Sequence, residues 1–419
     1  MKSPREIVKQ TYDVIVIGGG ASGMMAAGIA AKNGRKVLLI EKNKALGEKL
    51  KITGGGRCNI TNAEFDIRKL LSHYGDAEPF LYSAFSQFGV QSTFDFFESL
   101  NVPIVVQARK RAFPKSESSV DVCRAMVRFV EQHHVTIATG MYVMKVFMKN
   151  GAISEIETNH GVISASQYII ATGGLSHPET GSTGDGFNWL KSLGHSVQAP
   201  TPTIVPLAVH DEWIKKLSGT SLSFMKIIFY VDGKKSFSKT GKILFTHFGL
   251  SGPLILNSSQ EVSDLLQEGL VTAKIDTYPD TDIGTLEQKI LKVFDANKNK
   301  MLKSVMDQIV PLGLVSAISE LLPEINQETK VHSVSRDDRK KIVQLLKALP
   351  VSISGLMGFD RAVIADGGVS LDEIDTKTMR SKKIKNMLVT GDLLHVNRPS
   401  GGYSLQLCWT TGYIAGMNA

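Results

Sequence analysis

Apolar positions along the chain change period several times, and each change marks an element. Residues 14–17 and 37–40 are unbroken apolar runs, and a stretch of small residues lies between them at 26–31. Such runs suit strands buried on both faces, and the small residues suit a helix packed close to a sheet. Residues 66–100 then read as helical, with Phe85, Phe88, Phe94, Phe97 and Leu100 as core. A further helix opens at Ser119 and carries Val122, Ala125, Met126, Phe129 and Val130 on one face. Residues 135–172 alternate with a period of two, broken at Asn150-Gly151 and His160-Gly161. That predicts a small meander returning to a sheet strand at 168–171. A helix over 187–193 follows.

The composition shifts at Ala199-Pro200-Thr201-Pro202. From there to about residue 276 the signals are strands, at 204–209, 223–231, 242–246 and 270–275, with Asp232-Gly233 as a hairpin turn. They predict a small β-barrel or sandwich. Residues 285–349 become helical again, with Leu286, Ile290, Phe294, Ile318, Ile342 and Leu346 on apolar faces and Ser335 and Asp338 at capping-box spacing. Strand patterns return at 351–354, 361–364, 366–369 and 387–390, before an apolar helix at 407–417. The predicted class is α/β: a Rossmann-like domain with a parallel sheet, split in sequence over 1–198 and 353–419. Into it are inserted a β-barrel at 199–278 with 346–352 and a helical segment at 279–345.

Composition changes this picture little. A chain of 419 residues exceeds one ordinary core. The 48 basic and 40 acidic residues leave a formal charge of +8, a modest bias whose usual form is a solvated basic surface open to anionic ligands. The basic runs Arg109-Lys110-Arg111 and Lys382-Lys383 are short and lack interleaved aromatics, which argues against a nucleic-acid groove. Three scattered cysteines without a C-x-x-C argue against a disulfide framework, a zinc site and a paired-thiol centre. No apolar run is long enough to span a bilayer, and the first ten residues lack an apolar signal core. A cytoplasmic protein is expected.

The chemistry concentrates in glycine segments. Gly18, Gly20 and Gly23 form G-x-G-x-x-G after the first strand, with Ala21 and Ser22 opening the helix, and Glu41 and Lys42 end the next strand. This order of strand, glycine turn, helix, strand and acid is that of a dinucleotide site. The turn and the helix N-terminus offer backbone N–H groups to a pyrophosphate, and Glu41 offers acceptors to a ribose. Next comes GEKLKITGGGRCNITN, with Lys49, Gly55, Gly56, Arg57, Cys58 and Asn59, read as a ligand loop rather than a flexible surface loop. Thr172, Gly173 and Gly174 end a later sheet strand, where ligands of such sheets bind. Near the C-terminus stand Gly391-Asp392, then Gly401, Gly402, Tyr403 and Ser404. Glycine sites at both ends of the chain suggest that the N-terminal half holds ADP and the C-terminal half closes over a longer cofactor, FAD. Asp392 suits its ribityl chain. Gly401 and Gly402, opening a helix, would aim N–H groups at the flavin N1 and C2 carbonyl. No second complete G-x-G-x-x-G unit appears, so a separate NAD domain is not expected, and NAD(P)H as a transient electron donor stays open. No catalytic base stands out; His247, His395, Arg57 and Arg111 are candidates, each with a structural role as an equal alternative.

On these residues the chain resembles the two-dinucleotide-binding-domain flavoproteins. Within them it is similar to the BaiN-like family, also labelled aminoacetone oxidase-type or NAD(FAD)-utilising dehydrogenases. The motifs are IGGGASGMMAA, GEKLKITGGGRCNITN, FPKS, ATGG with GSTGDG, FTHFGLSGP, and GD followed by GGYSLQ, spread over residues 17–406. The resemblance implies FAD, a split FAD domain, a barrel and a helical insert. One departure is clear: the family commonly has Glu after the late glycine and GGYN, where this chain has Asp392, His395, Asn397, Arg398 and Ser404. The expected function is FAD-dependent hydride transfer between a small-molecule substrate, or NAD(P)H, and flavin N5. A flavin-dependent RNA-modifying enzyme and a non-catalytic FAD-binding protein are the alternatives.

Overall fold

The computed structural model describes residues 3–419. They divide into two units, one of residues up to 202 together with Val363–Ala419, the other Thr203–Ala362. The first unit is built on a five-stranded parallel sheet of β1 (Tyr12–Ile17), β2 (Val37–Glu41), β3 (Thr136–Thr139), β4 (Ala165–Ile170) and β5 (Met387–Val389), in the order β5-β4-β1-β2-β3. The unbroken apolar runs are explained by burial of β2 along its whole length and of β1 except at Asp13.

Helix α1 (Ala21–Lys32) and the C-terminal helix α2 (Tyr403–Asn418) pack against each other at backbone distance. A Cβ on Gly412 would lie 2.5 Å from the Ser22 carbonyl oxygen, and one on Gly416 would lie 2.6 Å from that of Ala26. The small-residue stretch therefore serves a helix–helix contact as well as the sheet. It joins the first and last segments of the chain in one core that includes Met25, Ile29, Trp409 and Ile414. The helical region at 66–100 is broken into Ile67–Leu71, Glu78–Gln87 and Val90–Ser99, with Gly75 in the left-handed region at φ 52° between the first two. A three-stranded antiparallel sheet orders Thr61–Asn62, Arg111–Pro114 and Ile104–Gln107.

The second unit holds a closed antiparallel barrel. Its order is Leu207–Val209, Gly249–Ser251, Lys234–Thr246, Ser221–Val231, Val271–Asp276 and Leu349–Leu356, which pairs back to the first. Closure leaves no free sheet edge. Ile204, read above as strand, adopts a left-handed φ of 52° and separates Leu207–Val209 from the preceding strand Val197–Thr203. The helices Ile283–Ala296, Val315–Leu321 and Arg336–Lys347 share one hydrophobic cluster with the barrel, through residues such as Phe229, Phe245, Phe294 and Leu346. Ser335 caps the last of them, accepting the Asp338 N–H at 3.0 Å. Among the described residues, no helix is long and apolar enough to cross a membrane, and no group of three His, Cys, Asp or Glu is placed to hold a metal ion.

Candidate functional site

The N-terminal glycine turn is tight because its glycines touch one another. A Cβ on Gly23 would lie 1.8 Å from the Gly18 carbonyl oxygen, and one on Gly18 (φ 107°) 2.4 Å from that of Ala171. A Cβ on Gly20, at the N-cap of α1, would meet open space. The helix start carries no side-chain cap and no acidic residue, so its first N–H groups remain available to a phosphate. Glu41 is buried and accepts the Gly19 N–H through Oε2 and the Asn43 N–H through Oε1, each at 2.8 Å. Two backbone donors fix the carboxylate, and each oxygen keeps acceptor capacity for a ribose. Lys42 turns to the 181–186 loop, pairing with Asp185 at 2.8 Å and with the Thr183 hydroxyl.

The C-terminal glycines are folded onto the N-terminal ones. A Cβ on Gly391 (φ 65°) would lie 2.9 Å from Ser22 Oγ, and one on Gly174 3.4 Å from Asp392 Cβ. A Cβ on Gly402 (φ 103°) would lie 2.3 Å from the Thr61 carbonyl carbon. Gly402 also forms the N-cap of α2, again with no side-chain cap. The buried Gln406 behind it accepts from the Thr61 hydroxyl at 2.6 Å and the Thr93 hydroxyl at 3.1 Å. Trp409 Nε1 donates to the Ile60 carbonyl at 3.0 Å. One polar network thus ties α2 to the segment after GGGRC.

Asp392 does not stand alone. It pairs with the buried guanidinium of Arg398, which also donates to Ser404 Oγ at 3.0 Å and to the Val396 carbonyl at 2.6 Å. Three of the positions where the chain departs from the resembling family are therefore mutual contacts. Arg398 was not among the site residues expected from sequence; its six-residue separation from Asp392 corresponds to no helix or strand period. Lys49 donates to Ser176 Oγ at 3.1 Å. Burial pulls its pKa below the ordinary lysine value, against the opposing charge of Asp392.

Cys58 lies at a left-handed φ of 59° with no exposure, and burial pushes its thiol up to about 12. Its side chain packs in the core of the first unit. Burial does the same to Cys408, also up to about 12. Arg57 stacks over the Phe113 ring at 4.3 Å, with Gln107 at 3.4 Å and Glu117 at 3.5 Å from Nη1. His395 faces Asp366 at 3.7 Å. His247 belongs to the second unit, exposed on the turn between two barrel strands, its ring against Phe248 at 4.9 Å.

Of the three buried side-chain oxygens without a hydrogen-bond partner among the described residues, Gln327 Oε1 lies in the second unit, and Asn59 Oδ1 and Thr172 Oγ1 lie in the first. Orphaned buried acceptors are rare in folded chains. Asn59 and Thr172 sit in the glycine segments read as cofactor loops. With the open space at Gly20 and two uncapped helix starts, they fit a bound FAD.

The fold and these paired glycine sites define an FAD-dependent oxidoreductase of Rossmann type. The chain belongs to the family described as HI0933-like protein Rossmann domain, which matches residues 12–418. It is 28% identical over 409 residues to the 3-dehydro-bile acid delta(4,6)-reductase of Clostridium scindens, covering 96% of this chain and 98% of that one. It is 27% identical over 410 residues to the ribosomal RNA dihydrouridine synthase of Escherichia coli, covering 96% and 97%. In fold it is similar to a 3-ketosteroid-delta4-(5alpha)-dehydrogenase from Rhodococcus jostii RHA1, with TM-score 0.56, 12% identity and coverage of 98% and 97%.

Proposed function

We propose that the chain transfers hydride between flavin N5 and a small molecule bearing a carbon–carbon double bond conjugated to a carbonyl, with NAD(P)H as electron donor. The supporting observation is the convergence of the split glycine segments: Gly391 on Ser22, Gly174 on Asp392 and Gly402 on Thr61. FAD, when bound, supplies hydride acceptance and donation at N5. The residues named above do the rest. Gly20, Ala21, Ser22 and Gly23 would present N–H groups to the pyrophosphate, Gly18, whose own N–H is taken by the Ile40 carbonyl at 2.8 Å, would shape the turn, and Glu41 would orient the adenosine ribose. Thr172, Gly173, Gly174 and Asp392 would hold the ribityl chain. The uncapped start of α2 at Gly402, Tyr403 and Ser404 stabilises negative charge at the pyrimidine end of the ring. The names of two relatives, a delta(4,6)-reductase and a dihydrouridine synthase, denote saturation of such an activated double bond, which favours this substrate class over amines.

The test is anaerobic stopped-flow spectroscopy on the FAD-loaded protein. NADH or NADPH should bleach the flavin, and an enone should restore its colour while an amine should not. If no reductant bleaches the flavin, the reading is wrong. A second reading, modification of uridine in RNA, is favoured by two relatives named ribosomal RNA dihydrouridine synthase that align over 96% and 98% of this chain. It predicts reoxidation by a uridine-containing RNA and not by free enones.

A further inference from the structure

Positive charge gathers about the three-stranded sheet of the first unit beyond what its carboxylates balance. Arg57, Arg109, Lys110 and Arg111 gather there, and two nearby carboxylates answer them. Glu64 takes Lys110, and Glu117 takes Arg57 and the Gln107 amide. That leaves Arg109 and Arg111. Neither guanidinium has a hydrogen bond or ion pair among the described residues, although Arg111 is half-buried. Burial holds the Arg111 pKa down, and neighbouring Arg109 and Arg57 add to the shift. A partly desolvated cation beside like charges, with no anion of its own, is costly unless a ligand supplies one.

The loop that carries Arg109 is strained, whereas Arg111 that follows it is extended. Arg109 and Lys110 are consecutive non-glycine residues in the left-handed region, at φ 61° and 56°. The loop is held in that state by its neighbours. The Lys110 carbonyl accepts the Ala63 N–H at 2.7 Å, and the Arg109 carbonyl accepts from Asn62 Nδ2 at 3.4 Å. The same Asn62 amide donates to the Gly401 carbonyl at 3.2 Å. One asparagine therefore ties the arginine loop to the turn that opens α2, the turn read above as the flavin end of the site.

We propose that Arg109 and Arg111, flanked by Arg57, form a subsite for a phosphate group on the small molecule that exchanges hydride at the flavin. This rests on the reading of the site given above. Two unneutralised guanidiniums match the charge and the oxygen array of a phosphate better than a single carboxylate. The cluster is local, and its Phe113 ring is buried beneath Arg57 with no face open to a base, so it suits one phosphate or pyrophosphate and not the tracked backbone of a nucleic acid. A nicotinamide dinucleotide and a phosphorylated substrate present the same chemistry.

The test is calorimetric titration of the FAD-loaded protein with pyrophosphate and inorganic phosphate, with acetate as control. Pyrophosphate should bind and acetate should not. Arg111→Gln and Arg109→Gln should each weaken pyrophosphate by at least about tenfold, and Arg111→Lys should retain part of the affinity. Thermal melting and flavin content of each variant show that it is folded. NADPH and NADH that lose affinity in the variants identify the dinucleotide as the source; unchanged dinucleotide affinity with lost pyrophosphate binding assigns the phosphate to the substrate. Parental pyrophosphate affinity in both glutamine variants overturns the proposal, as does acetate binding as tightly as phosphate. Because this readout is binding, it stands apart from flavin reduction. Pyrophosphate binding with an unbleachable flavin defeats the hydride reading alone, and the reverse defeats the subsite alone.

Discussion

The two glycine turns of the first unit serve one site by different means. The N-terminal turn is held by backbone. Gly23 sits on the Gly18 carbonyl, Gly18 on the Ala171 carbonyl, and Glu41 is fixed by two main-chain N–H groups. The C-terminal turn is held by side chains. Arg398 clamps Asp392 and Ser404, and Gln406 and Trp409 reach across to the segment after GGGRC. A nearby staple follows the same rule: His195 bonds Glu373 at 2.8 Å and Ser381 at 2.9 Å, and Lys383 reaches Glu373 at 2.6 Å. Shape defines the first turn, and charge and hydrogen bonding define the second. The first must then be sensitive to an added atom at Gly18 or Gly23, and the second also to a lost partner.

The sharpest way to break this contrast is Arg398→Ala. It leaves the half-buried Asp392 without its guanidinium, and loss of one partner of a largely buried pair costs up to about 3–5 kcal/mol. Urea unfolding should show that loss, and FAD content should fall with it. A cost below about 1 kcal/mol would mean that the clamp is a solvated surface pair. Next in size is Gly23→Ala, where overpacking against the Gly18 carbonyl should cost about 1–3 kcal/mol and loosen FAD, with no change in the pH dependence of stability.

Acid offers a third probe. Burial alone would raise the Glu373 pKa, yet hydrogen bonds from Lys383, Ser196 and His195 outweigh it and bring the value down to about 2. A depressed carboxylate contributes stability above its unfolded pKa of 4.5 that is lost as pH falls towards about 2. Unfolding free energies should therefore drop through that window, and Glu373→Gln should flatten the drop. An unchanged slope would remove the staple from the comparison. Smaller still is Trp409→Phe, which deletes the bond to the Ile60 carbonyl and should cost about 1 kcal/mol in the same assay.

The resembling motifs and the changes of period made the fold class legible before any coordinates. The parallel order of residues 14–17 and 37–40, the barrel strands and the later helices all follow from local pattern, because period and turn chemistry act over a few residues. The site was legible as a set of glycine segments but not as a set of contacts. Lys42 was read as a cofactor ligand, and its contacts with Asp185 and Thr183, remote in sequence, had no signal there. Arg398 stood out only as a departure, and Asn62 only as the last residue of the GEKLKITGGGRCNITN loop.

The sequence by itself determined that this chain has a dinucleotide turn with an acid after its second strand, a second glycine pair far downstream, and no thiol or metal centre of standard spacing. Only the tertiary structure decided that Gly391 meets Ser22, that Asp392 is clamped by Arg398, and that Arg109 and Arg111 are left without an anion. The physical reason is that glycine turns and amphipathic periods are written in near neighbours. Which distant carboxylate answers a given guanidinium is settled by how the sheet and the two small-residue helices bring remote segments together.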